Sequence, residues 1–334
     1  MMKVLVIKLG AIGDVIRTTS ILPGLKAKYD CNIDWVTKKE SLDILKNNKE
    51  INKIFLMEEI KKILKFKYDL VISLDDEDSA CELAFHIHPK KIIGAYMKDN
   101  VKTYTKDSEL WFDMGLISRF GKKKADALKA KNKKTYQEIM YRILGLNYRK
   151  QEPILFLNEK ELDFGRKFAE KNKIKKTDIV IGINTGAGGR WQDKKLSEEQ
   201  TAELIDKLND TLKNSKIILF GGPEEIERND KIKKLTKTTL IDAGCRNSLM
   251  EFASLVNLCK ILVTSDSLAL HIGTALKKKI VAFFYVTSST EIEIYNRGIK
   301  IIGKGKDYCS YKQKCDYPPK WDIEEIASAV KKLV

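Results

Sequence analysis

The sequence lacks any long hydrophobic run. Its longest strongly apolar stretch, residues 280–286, is far shorter than the roughly 20 residues that a membrane span needs. The apolar run near the N-terminus, residues 4–7, ends at Lys8, which is too early for the apolar core of a secretory signal peptide. These absences argue against a membrane-spanning or secreted protein and predict a cytoplasmic location.

Cysteine and histidine are also scarce, with six cysteines and three histidines in 334 residues. Cys309 and Cys315 are separated by five residues and have no second pair nearby, whereas a zinc site usually shows tighter and repeated spacing. The sequence therefore predicts no metal site. Whether Cys309 and Cys315 pair or bind anything stays open.

Acidic residues are in the minority. The chain has 62 Lys and Arg against 46 Asp and Glu, a formal net charge of +16, which favours phosphorylated substrates, anionic lipid surfaces or nucleic acid as partners. Residues 121–150 are especially basic, and this stretch is either a solvated surface or a docking site. No nucleic-acid-binding motif accompanies the charge, and aromatic residues are not clustered in the basic stretch, which argues against nucleic acid.

Short apolar runs alternate with amphipathic helical stretches along the whole chain. The first half has predicted strands at residues 3–8, 32–37, 53–56, 69–74 and 91–94, and a closing helix at about 134–146. The second half begins after a polar linker near residues 147–158 and has predicted strands at residues 178–184, 216–220, 239–241, 260–264 and 279–284. Alternation of strands with helices predicts two parallel sheets that are covered on both faces.

We therefore predict an α/β fold with two doubly wound, Rossmann-like domains that face a central cleft. The expected domains are residues 1–150 and 157–321, and the C-terminal helix, residues 322–334, is expected to pack back on the first domain. Open α/β sheets bind ligands at the carboxyl ends of their strands, so the functional loops should follow strands. The fold alone does not select a function.

The first motif, residues 8–14, reads KLGAIGD and joins the first strand to the first helix. Its glycines permit close approach of a ligand, and the amides of the helix can face an anion. The spacing is not G-x-G-x-x-G, and Asp14 stands where a phosphate would disfavour a carboxylate. This pattern argues against a dinucleotide cofactor and for a polar role of Asp14. The alternative is that Asp14 only caps the helix.

Two further motifs follow strands of the second half. Residues 184–195 read NTGAGGRWQDKK, and three glycines with nearby cations suit a loop that wraps a diphosphate, although a flexible surface loop would look similar. Residues 264–271 read TSDSLALH, where Ser265 or Asp266 can cap a helix whose amides bind phosphate oxygens. His271 lies one helical turn further on and can reach the same anion, or it can be an ordinary core histidine.

Together the three motifs resemble glycosyltransferase family 9, the heptosyltransferases, over nearly the whole chain. The resemblance implies a fold of the GT-B type in which Asp14 is the catalytic base. It also implies that Lys194 contacts the donor phosphates, that Glu224 meets the ribose or the base, and that Asp266 and His271 lie beside the diphosphate. The other expected donor-binding residues are Thr185, Gly186, Ala187, Gly188 and Ser267. The expected acceptor-binding residues are Gly13, Lys122, Lys123 and Lys124.

The chain departs from the family pattern in places. Leu268 stands where glycine is common, and Lys195 and Leu196 follow Lys194 where a tryptophan often follows the motif's lysine. Residues 74–78 read LDDED where the family often has D-L-Q-G. This acidic segment fits either a cation site or the beginning of a helix, where acidic residues are expected.

The resemblance implies an inverting, metal-independent transfer that needs no cofactor. A sugar, heptose or a related one, would pass from a nucleoside-diphosphate donor such as ADP-heptose to a cell-surface glycan or glycolipid. The acceptor is expected to be anionic, which would bring the protein to the inner face of the cell membrane, with no nucleic-acid partner. The alternatives are a nucleotide-sugar epimerase of similar fold and, behind it, a basic nucleic-acid-binding protein.

Overall fold

The computed structural model describes residues 1–334, apart from the side chain of Gln192, and divides into two compact units. Unit 1 comprises Met1–Phe156 and Thr290–Glu293, and unit 2 comprises Leu157–Ser289 and Ile294–Val334. Each unit is built from a six-stranded sheet with helices, as the alternating sequence pattern predicts. Within this described part of the chain, every helix is too short or too polar to cross a membrane.

Unit 1 has six strands. They are β1 (Met2–Ile7), β2 (Cys31–Thr37), β3 (Lys53–Leu56), β4 (Leu70–Ser73), β5 (Lys91–Lys98) and β6 (Val101–Tyr104). Its helices are α1 (Ile12–Thr18), α2 (Ile21–Lys28), α3 (Leu42–Leu45), α4 (Ile60–Ile63), α5 (Asp78–His86), α6 (Glu109–Phe112), α7 (Lys122–Lys131) and α8 (Tyr136–Ile143).

The sheet of unit 1 has the strand order β3-β2-β1-β4-β5-β6. β1 is parallel to both of its neighbours, and it pairs Ile7 with Ser73 of β4. The order reverses direction between β1 and β4, so the loops that follow these two strands flank the topological switch point. Ligands of open α/β sheets bind at such points. The KLGAIGD and LDDED segments are these two loops.

The one antiparallel strand of this sheet, β6, is absent from the sequence prediction. Asp99 and Asn100 connect it to β5, and both have positive φ, at 49° and 59°. Two consecutive residues with positive φ form the tight type of turn whose twist matches a β-hairpin. The edge of the sheet is therefore a hairpin and not a further parallel strand.

Unit 2 repeats the plan. Its strands are β7 (Ile179–Asn184), β8 (Ser215–Phe220), β9 (Ile241–Asp242), β10 (Ile261–Ser265), β11 (Lys279–Phe284) and β12 (Gly298–Ile302). Its helices are α9 (Glu159–Lys171), α10 (Glu198–Thr211), α11 (Ile226–Leu235), α12 (Leu249–Leu258), α13 (Leu268–Ala275) and α14 (Ile323–Leu333). The strand order is β12-β11-β10-β7-β8-β9, and the switch point lies between β7 and β10.

The C-terminal helix α14 packs in unit 2, which corrects the expectation that it returns to the N-terminal domain. Its apolar face, with Ile323, Ile326 and Val330 buried, joins the core that strands β7, β8, β10 and β11 and helix α10 form. The helix covers β10, β11 and β12 of the sheet of unit 2, including the strand β12 that the sequence did not predict. An amphipathic helix buries its apolar side against an apolar surface, and the sheet of unit 2 has such a surface for α14.

Candidate active site

A cavity of about 400 Å³ lies at the switch point of unit 2. This volume is within the range of pockets that hold small molecules and cofactors. Its walls come from the loops after β7, β8 and β10 and from α12. The lining residues are Asn184, Gly186, Ala187, Gly188, Gly221, Gly222, Pro223, Glu225, Asn247, Leu249, Phe252, Ser267, Leu268 and Ala269. Four of the expected donor-binding residues, Gly186, Ala187, Gly188 and Ser267, are among them.

The glycine loop after β7 forms one wall. Gly188 has a φ of 71°, a conformation that side chains with a Cβ rarely adopt. A Cβ at Gly186 would lie 2.9 Å from Oε2 of Glu225, so the absence of a side chain lets the loop approach this carboxylate. Asn184 ties the loop to the opposite wall, because its Nδ2 donates to the carbonyl oxygen of Gly186 at 2.7 Å and to Oγ of Ser267 at 3.3 Å.

The N-terminus of α13 forms the facing wall. Ser267 is the N-cap residue, and no side chain caps the helix there. Ser267, Leu268 and Ala269 all line the cavity, so the first turn of this helix borders it. Uncapped amides at a helix N-terminus carry a partial positive charge and bind phosphate oxygens. The glycine loop and the helix together make a site for an anionic group.

Lys194 and Asp266 form a buried ion pair beside this site. The Lys194 ammonium donates to Oδ2 and to the carbonyl oxygen of Asp266, both at 3.0 Å, and the Thr287 hydroxyl donates to Oδ2 at 2.6 Å. Burial alone would raise the pKa of Asp266, but Lys194, His271 and the Thr287 hydroxyl hold it below its usual value. The pair fixes the residue that precedes the α13 N-cap and places a cation near the uncapped amides.

The carboxylate in the cavity wall belongs to Glu225, whereas the family resemblance implies a role for its neighbour Glu224. The Glu225 residue is 4% exposed, and its Oε2 accepts from the Gly222 amide at 3.0 Å. Oε1 lies 3.6 Å from the Lys195 ammonium and has no hydrogen-bond partner within the described structure. Glu224 is exposed. Because Glu225 lines the cavity, its carboxylate is an acceptor that this wall can offer to a bound ligand.

Part of the cavity lining is apolar. Leu249 and Phe252 from α12 line it together with Pro223. The Phe252 ring packs edge-on against Phe220, with centroids 5.5 Å apart, which fixes the orientation of the ring. Asn247 adds the polar edge of this region. A flat heterocycle with polar edges is the kind of group that such a surface accepts.

Thr185 points away from the cavity. Its hydroxyl lies 2.6 Å from Oδ1 of Asn229 and 3.0 Å from the carbonyl oxygen of Phe220, and the residue is buried. The sequence pattern predicts a loop hydroxyl at this position but does not indicate its direction. Thr185, Lys194, Glu224, Asp266 and His271 do not line the cavity, and their direct contact with a donor stays a prediction.

Asp14 and Gly13 lie in the first turn of α1, at the switch point of unit 1. Asp14 forms an ion pair with Arg17, with Oδ1 and Nη2 2.8 Å apart, and the Asp14 side chain remains about one third exposed, at 34%. The Arg17 guanidinium stacks on the ring of Tyr136, 3.9 Å from the centroid. Arg17 is therefore held by packing on α8, and Asp14 is held by Arg17 with one side open to solvent.

Asp75 in the LDDED segment binds the loop that carries Asp14. Its Oδ2 accepts from the Lys8 ammonium and from the Leu9 amide, both at 3.0 Å. The alternatives for this acidic segment in the sequence were a cation site or the beginning of a helix. Glu77 is the N-cap of α5 and Asp78 lies in its first turn, so the end of the segment begins a helix as one alternative predicts. Asp75 instead anchors one loop to the other.

The lysine-rich stretch forms α7 in unit 1. This helix buries Ala125 and exposes Lys122, Lys123 and Lys124. The three lysines are thus placed where a large anion or a surface could reach them, in the same unit as Asp14. Both readings of the stretch, a solvated surface or a docking site, are compatible with this exposure.

Within the described structure, no three residues among histidine, cysteine, aspartate and glutamate are grouped as they would be to hold a metal ion. Within the described structure neither Cys309 nor Cys315 is part of a disulfide bond, and burial raises the pKa of Cys315 to about 11. The metal independence of the reaction stays a prediction.

Two doubly wound units, each with its candidate functional loops at a switch point, are the architecture of GT-B glycosyltransferases, although other enzymes share it. The pattern of glycosyltransferase family 9 (heptosyltransferase) matches residues 57–320. The chain therefore belongs to this family and is a glycosyltransferase, which sets aside the epimerase and nucleic-acid alternatives. No curated protein sequence matches the chain significantly.

Solved structures support the same fold. A family 9 glycosyl transferase from Veillonella parvula has a TM-score of 0.81 at 20% identity over 99% of this chain and 97% of that chain. E. coli ADP-heptose LPS heptosyltransferase II has a TM-score of 0.69 at 19% identity, over 99% and 98%. E. coli heptosyltransferase WaaC with ADP has a TM-score of 0.61 at 16% identity, over 99% and 96%. These structures confirm the expected fold, and the match over residues 57–320 confirms the expected family.

Proposed function

We propose that this protein transfers a sugar, heptose or a related one, from a nucleoside-diphosphate donor to an anionic glycan or glycolipid, with inversion at the anomeric carbon. ADP-heptose is the first donor to test, because similar solved structures are those of ADP-heptose transferases. The observation that carries the proposal is the cavity of unit 2, in which a glycine loop and an uncapped helix N-terminus face each other.

The donor would lie along this cavity with its diphosphate at the glycine loop and the α13 N-terminus. The amides there and the nearby Lys194 ammonium would stabilise the negative charge that develops on the departing nucleoside diphosphate. Oε1 of Glu225 would accept from the ribose hydroxyls. The base would stack near Phe252, among the apolar residues of the lining.

Asp14 would act as the general base. Its carboxylate is partly exposed at the switch point of unit 1 and is oriented by Arg17. It would take the proton from the acceptor hydroxyl while that oxygen attacks the anomeric carbon and the bond to the diphosphate breaks. A single displacement of this kind inverts the anomeric configuration, and it needs neither a metal ion nor a cofactor.

The acceptor would be bound by unit 1. Gly13 lies beside Asp14 in α1, and the exposed Lys122, Lys123 and Lys124 supply the positive charge that an anionic glycolipid would meet at the inner face of the cell membrane. Each lysine close to an anionic membrane contributes about 1 kcal/mol of attraction. The lysines would therefore guide the acceptor, while Asp14 acts on its hydroxyl.

The test combines binding with transfer. Calorimetric titration with ADP, UDP and GDP identifies the nucleotide, and incubation of ADP-heptose with lipopolysaccharide that lacks heptose reports transfer by mass spectrometry of the product. Micromolar binding of one nucleoside diphosphate, together with a mass gain of one heptose, is expected. Heptose released from the donor without any acceptor product, or no nucleotide binding at all, would contradict the proposal.

A further inference from the structure

The carboxylate of Asp75 accepts several hydrogen bonds from the loop that carries Asp14. It follows β4, the neighbour of β1, and is 5% exposed. Its Oδ2 accepts from the Lys8 ammonium and the Leu9 amide at 3.0 Å and lies 3.5 Å from the Gly10 amide. Its Oδ1 accepts from the Asp76 amide at 3.1 Å. One carboxylate thus fixes the path of the β1–α1 loop from the adjacent strand.

Lys8 places a buried positive charge near Asp14. The residue is 7% exposed, and burial alone would lower the pKa of its ammonium. The carboxylates of Asp14 and Asp75 outweigh burial and raise the pKa, with a further contribution from Tyr136. Lys8 therefore keeps its proton, and its charge acts on the candidate base in an environment that screens charges less than water does.

We propose that Lys8 and Asp75 are positioning residues for the transfer: Asp75 fixes the loop that presents Asp14, and the ammonium that it anchors sets the charge around that carboxylate. This inference rests on the proposed role of Asp14 as the base. It assigns a function to Lys8 and to the acidic segment, and neither residue touches the substrate in this scheme.

Fold stability alone does not explain such a pair. Removing two charges from water costs several kcal/mol, and apolar residues of similar size often replace a buried ion pair without loss of stability. Unit 2 has a comparable pair at its own switch point, where the Lys194 ammonium lies 3.0 Å from Asp266 Oδ2. In both units the buried pair holds the loop that carries candidate functional groups, and not the middle of the core.

Other charged groups also surround Asp14. Arg17 is paired with it from the same helix, and the Tyr136 hydroxyl of α8 lies close enough to Asp14 that the carboxylate contributes to raising the tyrosine pKa. α3 and the 3-10 turn before it, Lys39–Ser41, also pack on α1. Their charged residues are Lys39, Glu40 and Asp43, of which Asp43 is paired with Lys46. Among the cations near Asp14, Lys8 is the one whose residue is buried, at 7% exposure.

The direct test is the titration of Asp14 in protein labelled with ¹³C at the aspartate carboxyl carbons, with the signal assigned by its loss in Asp14→Asn. A nearby cation lowers the pKa of a carboxyl group, so Lys8→Met should raise the Asp14 midpoint by about one pH unit. The matched control is Asp78→Asn, on the same segment but paired with Lys102 at the surface, and it should leave the midpoint unchanged. An unchanged midpoint in Lys8→Met would overturn the inference.

The second test addresses the position of the loop. Asp75→Asn alone leaves the Lys8 ammonium buried without its carboxylate and is prone to misfold, so the double variant Lys8→Met/Asp75→Asn removes both charges. It should lower kcat with ADP-heptose about 10- to 100-fold, as expected for a misplaced base, and leave ADP affinity within twofold of the parent. Parental kcat in a folded double variant would overturn the positioning role.

The outcomes separate this inference from the proposed function. If Asp14→Asn keeps full transfer activity, the role of Asp14 as base is wrong, and the titration still shows whether Lys8 sets the charge on that carboxylate. If Asp14→Asn is inactive while Lys8→Met leaves the Asp14 midpoint unchanged, the proposed function stands and the inference is wrong.

Discussion

Replacing Glu225 by glutamine tests how the cavity of unit 2 holds a nucleotide. Glutamine keeps the shape of the side chain, and its carbonyl oxygen can still accept from the Gly222 amide, which Glu225 Oε2 binds at 3.0 Å. What changes is the charge and the second acceptor, Oε1, which is buried without a hydrogen-bond donor in the described structure. We expect the ribose hydroxyls of the bound nucleotide to donate hydrogen bonds to this carboxylate.

The magnitude follows from the energy of such a bond. A hydrogen bond to a charged group contributes about 1.5–3 kcal/mol, and each 1.4 kcal/mol corresponds to about tenfold in affinity. Glu225→Gln should therefore weaken ADP binding about 10- to 100-fold. The neighbouring Glu224 is exposed, so Glu224→Gln is the matched control and should stay within about threefold of the parent.

Calorimetric titration with ADP and with 2′,3′-dideoxy-ADP measures the effect directly. The parent should prefer ADP, and Glu225→Gln should lose most of this preference because the hydroxyls no longer meet a carboxylate. If Glu225→Gln binds ADP as tightly as the parent while Glu224→Gln binds it weakly, the structural reasoning is refuted and the residue implied by the family resemblance is the right one.

Three further outcomes are expected. Asp266→Asn should lower the free energy of unfolding by about 3–5 kcal/mol at pH 7, because Lys194 stays buried without its carboxylate. Pairing lowers the pKa of Asp266, so its contribution is present above the unfolded value of about 3.9 and is lost as the pH falls through the folded value. Denaturant titrations should thus show a smaller difference from the parent near pH 2–3, and an equal difference at both pH values would contradict this. Changing Lys122, Lys123 and Lys124 to Gln should reduce co-sedimentation with anionic vesicles at low salt, flatten its salt dependence, raise the apparent KM for acceptor and spare ADP affinity. Equal vesicle binding would show a merely solvated surface. EDTA should leave transfer intact, and loss of activity that a divalent cation restores would refute metal independence.

Much of the fold is predictable because the strands are buried on both faces and therefore form continuous apolar runs. β3 and β11 begin and end at the residues that the sequence predicts. β6 and β12 escape prediction because a lysine, Lys102 or Lys300, interrupts the few apolar residues of each strand. The signal that would have located β6 is the pair Asp99 and Asn100, a favourable turn sequence between β-compatible residues.

The candidate site is predictable in its backbone and less so in its side chains. The glycine loop and the α13 N-terminus follow from glycine spacing and strand position, and the structure brings both to one cavity. Sequence does not distinguish Glu224 from Glu225, because a turn of the 3-10 helix decides which of two adjacent carboxylates faces inward. The contacts of Asn184, Phe252 and Asp75 do not follow from the sequence either, because they join segments far apart along the chain.

The comparison of the parent with Asp14→Asn tests the central claim most directly. Asparagine has the shape of aspartate but cannot take a proton from the acceptor hydroxyl, and general-base catalysis contributes about 10²- to 10⁴-fold. The measurement is the rate of heptose transfer from ADP-heptose to lipopolysaccharide that lacks heptose, with ADP affinity determined on the same preparations. We predict a loss of at least about 100-fold in kcat with ADP affinity unchanged. Transfer within about threefold of the parent would remove Asp14 from the mechanism.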